Sequence, residues 1–391
     1  MTSSSELQQR IEKLKQSMMG KNIAGALLVQ RADLFYFSGT GQNAHLFIPT
    51  EGEPVLIVKK SLIRAGQESA LDKIIPFQGW DDLARLIADT LPPGSKIGLE
   101  LDVLPAKLYF RYQELLKDYN LTDISAIVRL IRSVKSAYEL DLIGEAAKMS
   151  RSLFEHAGKI IREGVTEIEL AGRLEMQARL LGHQGAVRMR SFNQEIHYGH
   201  VMAGENASVV SFFDGPTGGP GVNPSYPQGA GTRKIKRGEP ILVDLVSIFG
   251  GYMIDQTRIF SIGEPALHLQ EAYRQALQIK YDLIKAGRPG TTGGYLFKKA
   301  ENTAARAGLA NHFMGYTEKV HFVGHGVGIE LDEMPIIGRG VEQKLVEGMV
   351  FALEPKFIFP GEGTVGIEDT FVVEKEGLRQ LTLSDDRLNI I

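Results

Sequence analysis

The chain has 391 residues, 43% hydrophobic and 23% charged, with a formal net charge of -3 and no cysteine. That length exceeds what one core usually supports, so two domains are expected. The lack of cysteine excludes disulfides, thiolate ligands and cysteine nucleophiles, and the charge balance offers no basic footprint for nucleic acid. No segment reaches the eighteen or more apolar residues of a membrane span, and MTSSSELQQRIEKLKQ lacks the apolar stretch of a signal peptide. A cytoplasmic protein is expected.

From residue 6 to about 130, short apolar runs alternate with helical patterns. AGALLVQ, HLFIPT, PVLIVKK and KIGLE read as strands, and LQQRIEKLKQSM, DDLARLIADTL and PAKLYFRYQELLK read as helices. An α/β domain over 1–133 follows. ADLFYFSGT reads as an edge strand with apolar aromatics, and the lone tryptophan, Trp80, calls for no functional explanation.

A second domain, 134–391, opens at IRSVKSAYE. Ser136 and Glu139 form a capping-box pattern, and Ile143, Ala146, Ala147, Ser150, Phe154, Ala157 and Ile161 follow as a helical stripe. Thr166 with Glu169 repeats the signal for a helix ending near Gly182. Two further helices, from Ala266 to Gly290 and from Gly293 to Gly308, give the same order, helix pair then strands, a weak internal repeat. Between the first pair and the strands lies a glycine- and proline-rich segment holding Arg188, Arg190, His197 and His200. Its FDGPTGGPG lacks the lysine, hydroxyl residue and following helix of a phosphate loop. As a pocket rim, the segment could use an arginine to clamp a substrate carboxylate, with His197 and His200 alongside.

The strands carry the chemistry. ILVDLVSIFGGYMIDQTRIF and FALEPKFIFPGEGTVGIEDTFVV read as two hairpins turning at Gly250-Gly251 and Pro360-Gly361. The first turn brings Asp244 close to Asp255, and the second places Glu354 opposite Glu368. Like charges facing across a ladder are destabilising, and a buried carboxylate without a partner is costly. Two such pairs call for a cation. His325 lies in GHGVG, whose glycines are expected to let the backbone approach a ligand. Carboxylates with an imidazole suit Mn, Co, Zn or Fe, and shared carboxylates can hold two ions roughly 3.5–4 Å apart. Arg258 and Asp369 are expected to support this shell from behind.

The order D, D, H, E, E, with GYMIDQTR, HFVGHGVGIE, ALEP and GIEDT around it, resembles the creatinase/aminopeptidase P metallopeptidases of pita-bread fold. The resemblance implies an α+β catalytic domain with two divalent metal ions, Mn or Co ahead of Zn or Fe. Asp244, Asp255, His325, Glu354 and Glu368 would be the ligands, with Asp255 and Glu368 bridging and His325 and Glu354 terminal. A bridging hydroxide would attack the carbonyl, Glu354 would shuttle the proton, and His321 would steady the oxyanion. A homodimer acting on a peptide or small amide is expected.

Three substrate contacts usual in the proline-specific relatives are missing. Ser225 stands near the expected histidine of an HY pair, Asp332 replaces a second histidine, and Gly366 replaces an arginine. The expected function is therefore an Xaa-Pro aminopeptidase- or dipeptidase-like hydrolase of altered specificity, with Asp332 a candidate substrate contact. The alternatives are a small-molecule amidinohydrolase or lyase on the same fold, and a non-catalytic binding protein.

Overall fold

The computed structural model describes residues 2–391, and the chain divides into two compact units after Arg132. The first unit contains six strands, β1 (Gly25–Leu28), β2 (Ala44–Pro49), β3 (Val55–Val58), β4 (Ile74–Pro76), β5 (Lys96–Leu99) and β6 (Asn120–Asp123), in the mixed order β4-β3-β2-β1-β5-β6. Helices over Trp80–Ala88 and Ala106–Leu115 pack on it, burying Leu83, Ile87 and Tyr112 against Leu27, Phe47 and Ile97. ADLFYFSGT is not a strand. Residues Arg31–Ser38 form a helix, capped by the Gln30 side chain accepting from the Asp33 amide and closed by Gly39 at φ 78°. The aromatic run has strand propensity, but the two caps and burial of Leu34, Tyr36 and Phe37 decide for helix.

The second unit has two similar halves. In the first, helices Ala137–Ile160 and Glu167–Leu180 precede β7 (Gly199–Ala203), β8 (Ile241–Phe249) and β9 (Tyr252–Ser261). The Ser136–Glu139 capping box is complete, and Thr166 accepts from the Glu169 amide. In the second half, helices Leu267–Ala286 and Gly293–Arg306 precede β10 (Phe322–Gly326), β11 (Glu333–Gly338), β12 (Val350–Leu353), β13 (Lys356–Phe359), β14 (Gly363–Gly366), β15 (Asp369–Glu374) and β16 (Gly377–Gln380), with β17 (Asn389–Ile390) returning to β9. The sheets run β17-β9-β8-β7 and β11-β10-β12-β15-β16, with β13-β14 a separate ribbon. Each helix pair covers one sheet, leaving Val246, Ile248, Met253, Val327, Leu331 and Ala352 as a smaller apolar cluster drawn from both. Thr257 and Glu368 exchange backbone hydrogen bonds at 3.3 Å and so join the two hairpins.

The GHGVG glycines serve packing rather than ligand approach. A Cβ on Gly324 would fall 2.2 Å from the Ala352 carbonyl oxygen on β12, one on Gly326 2.2 Å from the Met334 oxygen on β11, and one on Gly328 2.5 Å from the Glu333 carboxylate. That carboxylate is itself fixed by Lys135 at 3.0 Å and by the amides of Ile329 and Glu330. The tight strands hold His325 in place.

Candidate metal centre

The turn at Gly250-Gly251, both at positive φ (58° and 88°), sets the register of β8 and β9. Asp244 pairs with Thr257, and Asp255 pairs with Val246. The two aspartates are thus diagonal neighbours on one face, two residues removed from facing each other. In the second hairpin Lys356 pairs with Gly366, and extending that register by two brings Glu354 level with Glu368.

His325 is aimed by its backbone. Its Nδ1 lies 2.8 Å from the Leu331 carbonyl, which makes Nδ1 the protonated nitrogen of the neutral ring and turns the Nε2 lone pair inward. Nε2 is 3.7 Å from Asp255 Oδ2, 3.7 Å from Glu368 Oε1 and 4.0 Å from Glu354 Oε1. These gaps are too long for hydrogen bonds. They match ligands sharing one ion, because atoms roughly 2.0–2.2 Å from a metal lie about 3–4 Å from each other. Asp255 Oδ1 and Glu368 Oε1 are buried with no hydrogen-bond partner, and ligand atoms of Asp255, His325 and Glu368 all lie within 4.8 Å of one another. The three residues fit one metal ion.

The other side of the cluster is held differently. Lys356, a residue the sequence reading passed over, places Nζ 3.0 Å from Asp244 Oδ2, 3.0 Å from Glu354 Oε2 and 2.9 Å from Glu368 Oε2. Glu354 and Glu368 each turn one oxygen to the ammonium and the other toward His325. Glu354 and Glu368 thus each lie between the ammonium and the imidazole. Three of the oxygens expected to ligate metal accept from a lysine.

Charge follows position. Burial opposes the Lys356 charge, but Asp244, Glu354 and Glu368 outweigh it and hold the ammonium pKa well above its ordinary value. Burial likewise raises Glu368, yet Lys356 and His325 reverse the effect and bring it down to about 2. At Glu354 burial dominates even beside the lysine and pushes its pKa up to about 7, and burial, reinforced by Glu368 and Asp244, raises Asp255 well above its usual range. At His325 burial is overcome by Glu368, Glu354 and Asp255, which lift it to about 10. The pocket on the His325 side is short of positive charge, and a metal binding there must displace protons.

The remaining candidates scatter. His200 on β7 is buried, lies level with Asp244 and has Nε2 3.4 Å from Gln228 Oε1; burial lowers its pKa although Asp244 opposes that. His197 is exposed and edge-on to Tyr198, and His321 is exposed, its carbonyl accepting from the Arg339 amide. Arg190 is buried and paired with Glu330 at 3.4 Å, so its charge is spent within the protein. Arg188 is half-buried, and its carbonyl accepts from Leu331. Asp332 accepts from the Arg190 and Ser191 amides and the Ser191 hydroxyl, which makes it the anchor of that segment. Ser225 is exposed in a turn with Asn223. Arg258 and Asp369, each expected to stand behind the ligands, form a buried pair at 2.8 Å, and Lys280 and Thr382 complete their network.

Comparison with known proteins identifies the family. Residues 10–134 match the creatinase/prolidase N-terminal domain, and residues 141–375 match metallopeptidase family M24. The chain is similar to the Xaa-Pro dipeptidase of Pyrococcus furiosus, 26% identical over 384 residues that cover 98% of this chain and 100% of that one. Among solved structures, an Xaa-Pro dipeptidase from Bacillus anthracis superposes with a TM-score of 0.85 at 25% identity, covering 98% of this chain and 100% of that one. An X-Pro aminopeptidase from Thermotoga maritima gives 0.81 at 25% identity, covering 97% and 99%. With more than half of its length matched and an acid-and-histidine cluster at the heart of that half, the chain belongs to metallopeptidase family M24, a creatinase/prolidase-type domain preceding a pita-bread catalytic domain.

Proposed function

We propose that this protein is a metal-dependent hydrolase of peptide or small amide bonds, allied to the Xaa-Pro peptidases in its chemistry and divergent from them in its substrate contacts. The observation that carries the reading is the pocket of Asp255, His325 and Glu368, with two buried carboxylate oxygens that have no other partner. Asp255, His325 and Glu368 would hold a divalent ion, which would supply the Lewis acidity to polarise a carbonyl and acidify water near neutral pH. Everything else falls to the side chains. Glu354, held by Lys356 through one oxygen and near neutrality in its pKa, accepts the proton of the attacking water and returns it to the leaving amine. His325 is kept in its ligating tautomer by the Leu331 carbonyl. His200, buried beside Asp244, and His321, four residues before His325, are the proposed polar contacts to substrate.

Altered specificity is supported by Ser225, Asp332 and Gly366. Ser225 is exposed, Asp332 is committed to the 190–191 backbone, and Gly366 has no side chain to offer. A charge-assisted hydrogen bond contributes about 1.5–3 kcal/mol, so each lost contact corresponds to roughly tenfold or more in kcat/KM on a proline substrate. The test is steady-state kinetics of Mn²⁺-loaded protein on matched Xaa-Pro and Xaa-Ala peptides of two to four residues. Xaa-Pro dipeptides are expected to be poor substrates. Efficient, proline-selective cleavage would overturn the altered specificity, and full activity of verified metal-free protein would overturn the metal dependence.

A further inference from the structure

We propose that the Lys356 ammonium is one of the two cations of this centre, a covalently tethered charge standing where a second metal ion would bind, so that the centre takes a single divalent ion. The inference rests on the reading of Asp255, His325 and Glu368 as a metal site. Three observations carry it.

First, Nζ lies within 3.0 Å of oxygens from Asp244, Glu354 and Glu368, which supply one acceptor for each of its three protons. An ion bound to those oxygens would sit against the ammonium and compete for the same lone pairs. Second, Glu354 and Glu368 are divided between the ammonium and His325, Oε2 to one and Oε1 toward the other. Carboxylates shared in this way behave as bridges between two positive centres, and one of these is part of the chain. Third, the lysine is built in. It is 3% exposed, and its partner across the ribbon is Gly366, where a Cβ would fall 2.7 Å from both Cα and Cγ of Lys356 and 2.6 Å from the Pro355 oxygen. The space for a side chain at 366 is filled by the Pro355 carbonyl together with the backbone and stem of the lysine. Lysine at 356 and glycine at 366 are thus packed directly against each other, and a side chain at 366 would have to displace the lysine stem or the Pro355 backbone.

Stoichiometry decides the matter. Full-length protein and Lys356→Ala would be equilibrated with Mn²⁺, freed of unbound ion and assayed for metal per chain, with circular dichroism confirming that both are folded. We expect one Mn²⁺ in the wild type, giving the six-line electron paramagnetic resonance spectrum of an isolated ion, and two in Lys356→Ala, with the lines broadened by coupling between neighbouring ions. Two ions in the wild type, or a folded Lys356→Ala still limited to one, would overturn the proposal. No metal in the wild type but binding by Lys356→Ala would remove the single-ion reading of the triad while upholding lysine as the resident cation. No metal in either would remove both. Should Lys356→Ala fail to fold, Lys356→Gln takes its place, and the wild-type spectrum still discriminates: a coupled pair overturns the proposal and an isolated ion supports it.

Discussion

His325 lies in β10 and His321 just before it, four residues away, and their surroundings differ. His325 has its Nδ1 on the Leu331 carbonyl and Nε2 facing three carboxylates; His321 is exposed. Replacing His325 with alanine is expected to lower Mn²⁺ occupancy at least tenfold, in line with loss of a ligand, whereas His321→Ala keeps its metal and loses kcat. Metal analysis beside kinetics checks this, and equal metal loss in both variants would show His321 misassigned. The acids and His325 were legible because each interrupts an apolar strand. Lys356 interrupts one equally, in LEPKFIF, two residues after Glu354 and on its face, but a lone lysine in a strand usually marks a solvated edge. Only the positions of Asp244 and Glu368, contributed by other strands, reveal what it touches.

The β13-β14 ribbon shows how a backbone position can control a side chain it never contacts as a ligand. In Gly366→Ala the new methyl must push Pro355 or the Lys356 stem aside, and overpacking of this kind costs about 1–3 kcal/mol. A lower melting temperature is expected, together with a change in Mn²⁺ affinity as the ammonium is displaced from Glu354 and Glu368; unaltered stability and affinity would show that the ribbon has slack. At this scale much of the fold could be read ahead: the capping box at Ser136, the paired helices and the glycine turns each have a local cause. What could not be read depended on neighbours in space. Residues 31–38 formed a helix despite their aromatic run, and a register sum two away from the facing arrangement placed Asp244 diagonal to Asp255.

The two units of the chain bury ionisable groups in different ways. In the first, His45 is fully buried, its Nε2 2.7 Å from the Tyr112 hydroxyl, and burial with the nearby Lys59 lowers its pKa to about 3. Since the unfolded chain binds a proton near pH 6.5 and the folded one does not until about 3, stability falls as the pH drops through that interval, by about 2 kcal/mol between pH 6.5 and 5. Trp80 is the sole tryptophan and its ring centre lies 5.7 Å from that of His45, so its fluorescence during urea unfolding reports this unit. The midpoint is expected to fall between pH 7 and 5 in the wild type and to flatten in His45→Gln; a flat wild-type profile would contradict the buried neutral ring. In the second unit, Asp244 and Glu368 come from opposite halves, 124 positions apart in sequence, and meet at an ammonium that belongs to the second hairpin. Closing a long loop over like charges is slow and unfavourable without a counter-charge. Because Lys356 arrives with Glu354 and Glu368 in the same ribbon, the second half reaches the first already partly neutralised. The junction of the two halves therefore holds a counter-charge supplied by the polypeptide itself, at a local concentration that no free ion sets.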